Sequence, residues 1–196
     1  MMKDLTQMST PQLLKLFETL ECPTMEEMDG EFRGQQLRQP GPVSTLVSAL
    51  FTNNPLLFGK WQSKSFRPTG PDSGRGYNTL RNFGRDTIQG PMVTLIAPSR
   101  FDGKPAYQLV YRAFHSVCGF VHMVDEVRRV EEGQYLGIGT VGFTSAQRRI
   151  PLPFMLSGPV APYRKDIGRE RAGFELASEL PGLANSTAAG DAVSIS

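Results

Sequence analysis

The sequence has little of what several large classes of protein need. It contains two cysteines, Cys22 and Cys118, in 196 residues, which argues against a disulfide framework and leaves a single bridge as the alternative. No apolar run approaches the roughly 20 residues of a membrane-spanning helix. The first ten residues hold no apolar stretch of signal-peptide length. We therefore expect a cytoplasmic protein with reduced thiols and no membrane span.

An excess of charge of one sign is also absent. The chain has 21 basic and 19 acidic residues, for a net charge of +2. Nucleic-acid binding needs a concentrated basic face, so we expect no nucleic-acid partner. The loosely spaced basic residues between positions 60 and 85 are predicted to be mostly a solvated outer face, with anion binding as the alternative. They are Lys60, Lys64, Arg67, Arg75, Arg81 and Arg85.

The common catalytic and metal-binding signatures are missing as well. There is no G-x-S-x-G, P-loop or H-E-x-x-H motif. The glycines of 137–142 match G-x-G-x-x-G, but no helix follows them, so bent strand is the better interpretation. His115, Cys118 and His122 would alternate between two faces of a strand, whereas zinc needs three or four convergent ligands. No metal and no cofactor is expected.

What the sequence does contain is a series of short extended segments separated by turns. Its 20 glycines and 15 prolines fall between apolar runs, as in a β-rich protein. Valines and aromatic residues alternate with polar ones in the period of two that is typical of strands. The predicted strands are 25–37, 56–68, 77–83, 92–97, three within 105–143, and 151–157. Helices are predicted at 10–21, 43–51 and 169–180, with Thr10 as the N-cap of the first.

About eight short strands in a meander predict a mainly β fold, a single antiparallel up-and-down barrel with short N-terminal helices. Eight strands can close around side chains or around one small ligand. We expect an N-terminal helical segment at 1–24, the barrel at 25–168, and a short helix with a flexible tail at 169–196.

Three fragments resemble a largely uncharacterised family of bacterial and fungal proteins that is named for a G-x-W-x-G motif. They are Gly30–Gly34, then Phe58–Lys60 with Phe66, and then Leu109–Tyr111 with Asp125–Val130 and Tyr135–Gly137. Phe32 stands where the motif has tryptophan. The resemblance implies a lipocalin-like (calycin) barrel from about residue 25 to 142. It implies no single activity, because such barrels include carriers, haem binders and a few lyases and isomerases.

The segment from 121 to 130 concentrates ionisable groups. On a regular strand His122, Glu126 and Arg128 share one face, and Asp125 and Arg129 share the other. We predict that Glu126 and Arg128 face the lumen and are coupled, with His122 beside them toward the opening. The alternative is a structural ion pair between Glu126 and an arginine, because inward charges need partners.

Two functions follow from a polar group in an apolar lumen. The first is binding of a small, mainly apolar ligand, with Trp61, Tyr107, Tyr111, Arg128 and Tyr135 as the ligand-binding residues. The alternative is a lyase or isomerase step, with His122 and Glu126 as acid and base and with Arg128 and Tyr111 as positioning groups. A packed barrel that acts only through its surface is a third possibility. The sequence leaves the oligomeric state open.

Overall fold

The computed structural model describes residues 4–54 and 59–183, and its architecture is a closed antiparallel barrel. The strands are β1 (Gly30–Gln36), β2 (Asn53–Asn54), β3 (Gly59–Pro68), β4 (Ser73–Asn82), β5 (Arg85–Pro98), β6 (Pro105–Val110), β7 (Val124–Glu131), β8 (Gln134–Thr140) and β9 (Leu152–Ala161). From β3 to β9 each strand pairs with the next, and β1 pairs with both β9 and β3. Eight strands thus close the barrel, with β2 as a two-residue extension on β3. The predicted up-and-down barrel is confirmed. Residues 55–58, where we predicted the start of the second strand, lie outside the described residues.

Connections at the two ends of the barrel differ in kind. One end, the mouth, carries α2 (Pro42–Thr52) between β1 and β3, α3 (Val117–Phe120) between β6 and β7, and the β4–β5 and β8–β9 connections. The other, the closed end, carries the turns β3–β4, β5–β6 and β7–β8. None of the helices among the described residues has the length and apolar character needed to cross a bilayer.

The half of the lumen nearest the closed end is filled by large side chains. Phe32, Phe66, Tyr107 and Tyr135 are each at most 2% exposed, and neighbouring rings meet edge-on or tilted at centroid separations of 5.5–5.8 Å. Such offset geometries are the favourable ones for aromatic pairs. Two buried methionines, Met25 and Met28, come from the segment before β1 and pack on this cluster. Protein side chains therefore fill this half of the barrel.

The N-terminal helix covers the outer wall. α1 (Thr10–Phe17) turns Leu13, Leu16 and Phe17 onto outward residues of β6 and β8. Its N-cap is Ser9 rather than the predicted Thr10, because Gln12 reaches back to Ser9 and completes a capping box. The helix therefore packs on the barrel and does not enter it.

Residues 169–183 cover another part of the outer wall. The predicted helix over 169–180 is wrong: only Leu176–Ser178 forms a single 3-10 turn. An antiparallel bridge joins Phe114 to Glu170, and Leu180 packs among outward residues of β5, β6 and β7. Tertiary contacts thus decide the conformation of this segment. Residues 184–196, most of the predicted flexible tail, lie outside the described residues.

A fully buried guanidinium ties the outer wall together. The Arg128 side chain is 0% exposed and forms two hydrogen bonds, of 2.7 and 2.8 Å, with the carboxylate of Asp102. It also donates to the carbonyl oxygens of Phe17, Lys104 and Pro105, and it stacks on the Phe17 ring at 4.4 Å. One side chain therefore joins α1, the β5–β6 turn and β7.

We predict that Arg128→Met destabilises the fold by about 3–5 kcal/mol, because it leaves the Asp102 carboxylate without its ion-pair partner and removes a donor from three carbonyl oxygens. Chemical denaturation of the variant and the parent measures this loss. Arg85→Met, at an exposed position, is the matched control and should change the free energy of unfolding by no more than about 0.5 kcal/mol. Equal effects of the two substitutions would contradict the assignment.

Candidate functional site

A cavity of about 280 Å³ occupies the mouth half of the lumen. Much of its wall is apolar, and hydroxyl and amide groups of β1, α2, β5 and the N-cap residue of α3 lie toward the opening. The apolar wall residues include Trp61, Leu80, Met123, Val141, Leu152 and Phe154. Apolar walls with a few placed polar groups are typical of small-molecule sites.

An ion pair forms the floor of this cavity. The ammonium of Lys64, on β3, lies 2.8 Å from Oδ2 of Asp125, on β7. The two side chains are only 6% and 5% exposed. Two charges this far from water are tolerated only when further hydrogen bonds satisfy them.

Those hydrogen bonds come from Asn78 on β4 and from Tyr111, which follows β6. Lys64 Nζ donates to Asn78 Oδ1 at 2.9 Å and to the Tyr111 hydroxyl at 2.5 Å. The Tyr111 hydroxyl in turn donates to Asp125 Oδ2 at 2.9 Å. Burial, followed by the charge of Asp125, raises the pKa of Tyr111 well above its usual value, so the hydroxyl keeps its proton.

Aromatic rings surround the same ammonium. Lys64 Nζ lies 5.3 Å from the ring centre of Trp61, 5.3 Å from that of Tyr111 and 5.2 Å from that of Phe154. A cation at this distance from a ring face is attracted by the ring quadrupole. The rings also help to exclude water from the ammonium, whose side chain is only 6% exposed.

The floor offers a ligand a neutral surface with one open acceptor. All three donors of the Lys64 ammonium point at Asn78, Tyr111 and Asp125, so none remains for a ligand. Hydrogen bonds to Asp125 converge on Oδ2. Its Oδ1 lies against Gly139 in the cavity wall. A Cβ atom on residue 139 would come within 2.8 Å of this oxygen. Glycine at this position keeps the carboxylate accessible.

Five sequence-predicted ligand-binding residues divide between the two halves of the barrel and its outer wall. Trp61 and Tyr111 line the cavity. Tyr107 lies in the packed half, and Tyr135 donates to Glu27 at the closed end, 3.0 Å away. Arg128 is bound to Asp102 outside the barrel.

The prediction that Glu126 and Arg128 face the lumen is wrong. β7 pairs with β6 so that Asp125 lies opposite Leu109 and Val127 opposite Tyr107, which are lumen residues. Glu126 therefore points outward, where it accepts the Arg100 backbone N–H at 2.8 Å under the covering segments. Burial raises the pKa of Glu126, against the opposing effect of its hydrogen bonds. The predicted alternation of side chains along β7 is correct, but the lumen face and the outer face were exchanged.

His122 lies before β7 rather than in it, because residues 111–123 form a 3-10 turn and α3 instead of extended chain. Its backbone is left-handed, with φ of 54°. Its Nδ1 lies 2.7 Å from the buried carboxylate of Glu179, between Arg112 and Arg148. The prediction that His122 lies beside Glu126 in the lumen is therefore wrong.

Three further residues that we weighed for a metal do not converge. His115 is exposed, His122 pairs with Glu179, and Cys118 lines the cavity. Burial raises the pKa of the Cys118 thiol to about 12. A thiol with so high a pKa is a weak nucleophile and a poor ligand at neutral pH.

Sequence reasoning missed Lys64 and Asn78 and assigned Asp125 to the outside. In a regular strand Trp61 and Lys64 would lie on opposite faces, but a register shift between Trp61 and Ser63 brings both inward. Lys64 is consequently buried, not solvated as predicted for the basic residues of this region. The same strand also carries the exposed Lys60 and Arg67, so charge alone did not single out Lys64.

Comparison with known proteins adds little to this geometry. No family model and no curated protein matches the chain. A crystal structure of a protein from Thermomonospora curvata is similar, with 15% identity and a TM-score of 0.49, over 76% of this chain and 87% of that one. So slight a likeness says nothing of a ligand or an activity. The closed eight-stranded antiparallel barrel itself fits a lipocalin-like fold.

Proposed function

We propose that the protein binds one small, mainly apolar organic molecule in the mouth half of its barrel. The observation that carries this proposal is the coexistence of an apolar cavity with a buried ion pair as its floor, in which the ammonium is fully satisfied and one carboxylate oxygen stays open. Its volume of about 280 Å³ lies near the lower end of the roughly 300–1,000 Å³ of small-molecule sites. The ligand is therefore small enough to lie between Trp61, Leu80 and Phe154.

The chemistry of the floor favours a neutral ligand with one hydrogen-bond donor. Asp125 Oδ1 can accept a hydrogen bond from a hydroxyl or N–H group, whereas Lys64 has no donor left. A carboxylate in this position would face Asp125 and lose its hydration without a free cation in return. We infer that an alcohol-like ligand binds more tightly than the corresponding acid.

A lyase or isomerase step is the second candidate, supported by the hydroxyl of Tyr111 between Lys64 and Asp125. In this lumen Asp125 would take the role of base and Tyr111 that of acid, in place of His122 and Glu126. Tyr111→Phe would abolish turnover but leave binding measurable if the step occurs. If the protein only binds, the variant affects affinity alone.

Membership of the G-x-W-x-G family and a cytoplasmic location belong to the same proposal. Gly34, in the first fragment of the resemblance, lies under the Trp61 ring. A Cβ atom on residue 34 would come within 2.3 Å of the ring carbons. Phe32, at the tryptophan position of the motif, is buried in the packed half of the lumen. The free thiols of Cys22 and Cys118 support a reducing compartment.

We expect Val141→Trp to weaken binding of the neutral fluorophore 1-aminoanthracene at least about tenfold, because the indole would fill the cavity that Val141 lines. Val160→Trp is the matched control, since Val160 is 51% exposed near the closed end. Fluorescence titration of the two variants and the parent gives the affinities. Equal binding by all three proteins would place the fluorophore outside the lumen.

Neighbouring residues on opposite faces of β7 provide a second test. The parent should bind 1-octanol at least about tenfold, or ~1.4 kcal/mol, more tightly than octanoate. Asp125→Asn should remove that preference, whereas Glu126→Gln should keep it because Glu126 lies outside the barrel. Emission of Trp61, the only tryptophan, reports both titrations.

If Asp125→Asn does not fold, the double variant Lys64→Met/Asp125→Leu replaces it, because an apolar pair leaves no buried charge. This variant should also bind both molecules without the preference for octanol. A parent that prefers octanoate, or a Glu126→Gln variant that loses the preference, would refute the proposed floor.

A further inference from the structure

The mouth of the barrel is surrounded by exposed apolar side chains. All but two of the exposed large apolar residues among the described residues lie on the four mouth connections, the exceptions being Ile96 and Val160. We call this set the apolar rim: Val43, Leu46, Leu50, Phe83, Val117, Phe120, Phe143 and Ile150. Apolar side chains gathered in this way mark an interaction surface, whereas scattered ones do not.

Helix α2 presents its apolar face outward. Val43, Leu46 and Leu50 recur at helical spacing and are 73%, 63% and 42% exposed. Ser48 and Thr52 face the barrel instead: Ser48 is buried and accepts a hydrogen bond from Gln36 at 2.5 Å, and Thr52 donates to Gln36 Oε1 at 3.1 Å. A helix that covers a protein core in water has the opposite arrangement. An apolar stripe turned away from the protein is the arrangement of a helix that lies on a membrane interface.

The charge around the rim is positive. The segments 37–60, 80–87, 111–123 and 141–151 contain one acidic residue, Asp86, which is paired with Arg81. Four basic residues at the mouth have no acidic partner among the described residues: Arg38, Lys60, Arg85 and Arg149. Arg112 and Arg148 are near the buried carboxylate of Glu179. The mouth therefore carries a net positive charge although the whole chain is nearly neutral.

Acidic residues collect at the closed end. The β7–β8 turn carries Glu131 and Glu132, and the β3–β4 turn carries Asp72. The segment before β1 adds Glu21, Glu26, Glu27 and Asp29, of which Glu21 and Glu27 share Arg129 as their partner. This separation of charge would orient the molecule with its mouth toward an anionic surface.

We propose that the apolar rim and its basic residues dock the protein on a bilayer that contains anionic lipids. The aliphatic and phenyl side chains would enter the headgroup region, and the unpaired cations would meet lipid phosphates and carboxylates. A second copy of this chain fits the same face less well, because two copies would bring their unpaired cations together. Docking in this orientation places the cavity mouth against the bilayer. An apolar ligand could then pass between the two without crossing water, a consequence that rests on the proposed function.

Vesicle flotation tests the docking without any added ligand. The protein should float with vesicles of phosphatidylcholine and phosphatidylserine, and binding should weaken at high salt or with phosphatidylcholine alone. The double variants Leu46→Ser/Phe83→Ser and Arg85→Glu/Arg149→Glu should each bind at least about tenfold more weakly. Ile96→Ser/Val160→Ser removes two exposed apolar residues near the closed end and should bind like the parent.

Three results would overturn the docking proposal. They are no binding to anionic vesicles, equal loss in the rim and control variants, and a dimer in solution that Leu46→Ser/Phe83→Ser dissociates. Binding of 1-aminoanthracene in vesicle-free solution separates this proposal from the previous one. Both double variants at the mouth should still bind 1-aminoanthracene, because none of the four substituted residues lines the cavity. Loss of flotation with intact fluorophore binding would therefore concern the surface alone.

Discussion

A buried ion pair determines which part of the barrel interior is open to a ligand. Lys64 on β3 and Asp125 on β7 extend into the lumen from opposite sides of the barrel. Their side chains meet there, with Nζ 2.8 Å from Oδ2. Both charges need partners, and Asn78 and Tyr111 supply them from β4 and the end of β6. The pair has the aromatic cluster of the closed-end half on one side and the cavity on the other. It therefore forms the boundary between a solid half and a hollow half of the same barrel.

A second layer of buried charge lies outside the wall and explains why β7 carries ions on both faces. Glu126 and Arg128 are covered by the β5–β6 turn, α1 and residues 169–183, and each is at most 1% exposed. Their partners are Arg100 and Asp102 of that turn. These outer pairs hold the covering segments on the barrel, whereas the inner pair faces the cavity. One strand thus combines a structural face and a ligand-facing one.

Much of the fold was accessible from the sequence, because alternating strands and turn residues report on local geometry. The candidate site was less accessible. The alternation of side chains along a strand correctly placed Asp125 and Glu126 on opposite faces of β7. Choosing which face is the inner one requires knowing that α1 and residues 169–183 cover the outer face. Lys64 was missed because a register shift next to Trp61 reverses the alternation within one strand. His122 was misplaced because the chain forms α3 where we predicted extended strand. Tertiary packing, and not local sequence preference, determines which of the two forms.

The coupling between Lys64 and Asp125 is the most direct test of this account. We would measure the free energy of unfolding for the parent, Lys64→Met, Asp125→Leu and the double variant. Each single substitution should cost about 3–5 kcal/mol, because it leaves one buried charge unpaired. The double variant should lose much less than the sum, with a coupling energy of at least about 2 kcal/mol. Effects that add to within ~0.5 kcal/mol would mean that the two side chains do not interact in the folded protein, and that the cavity has no charged floor.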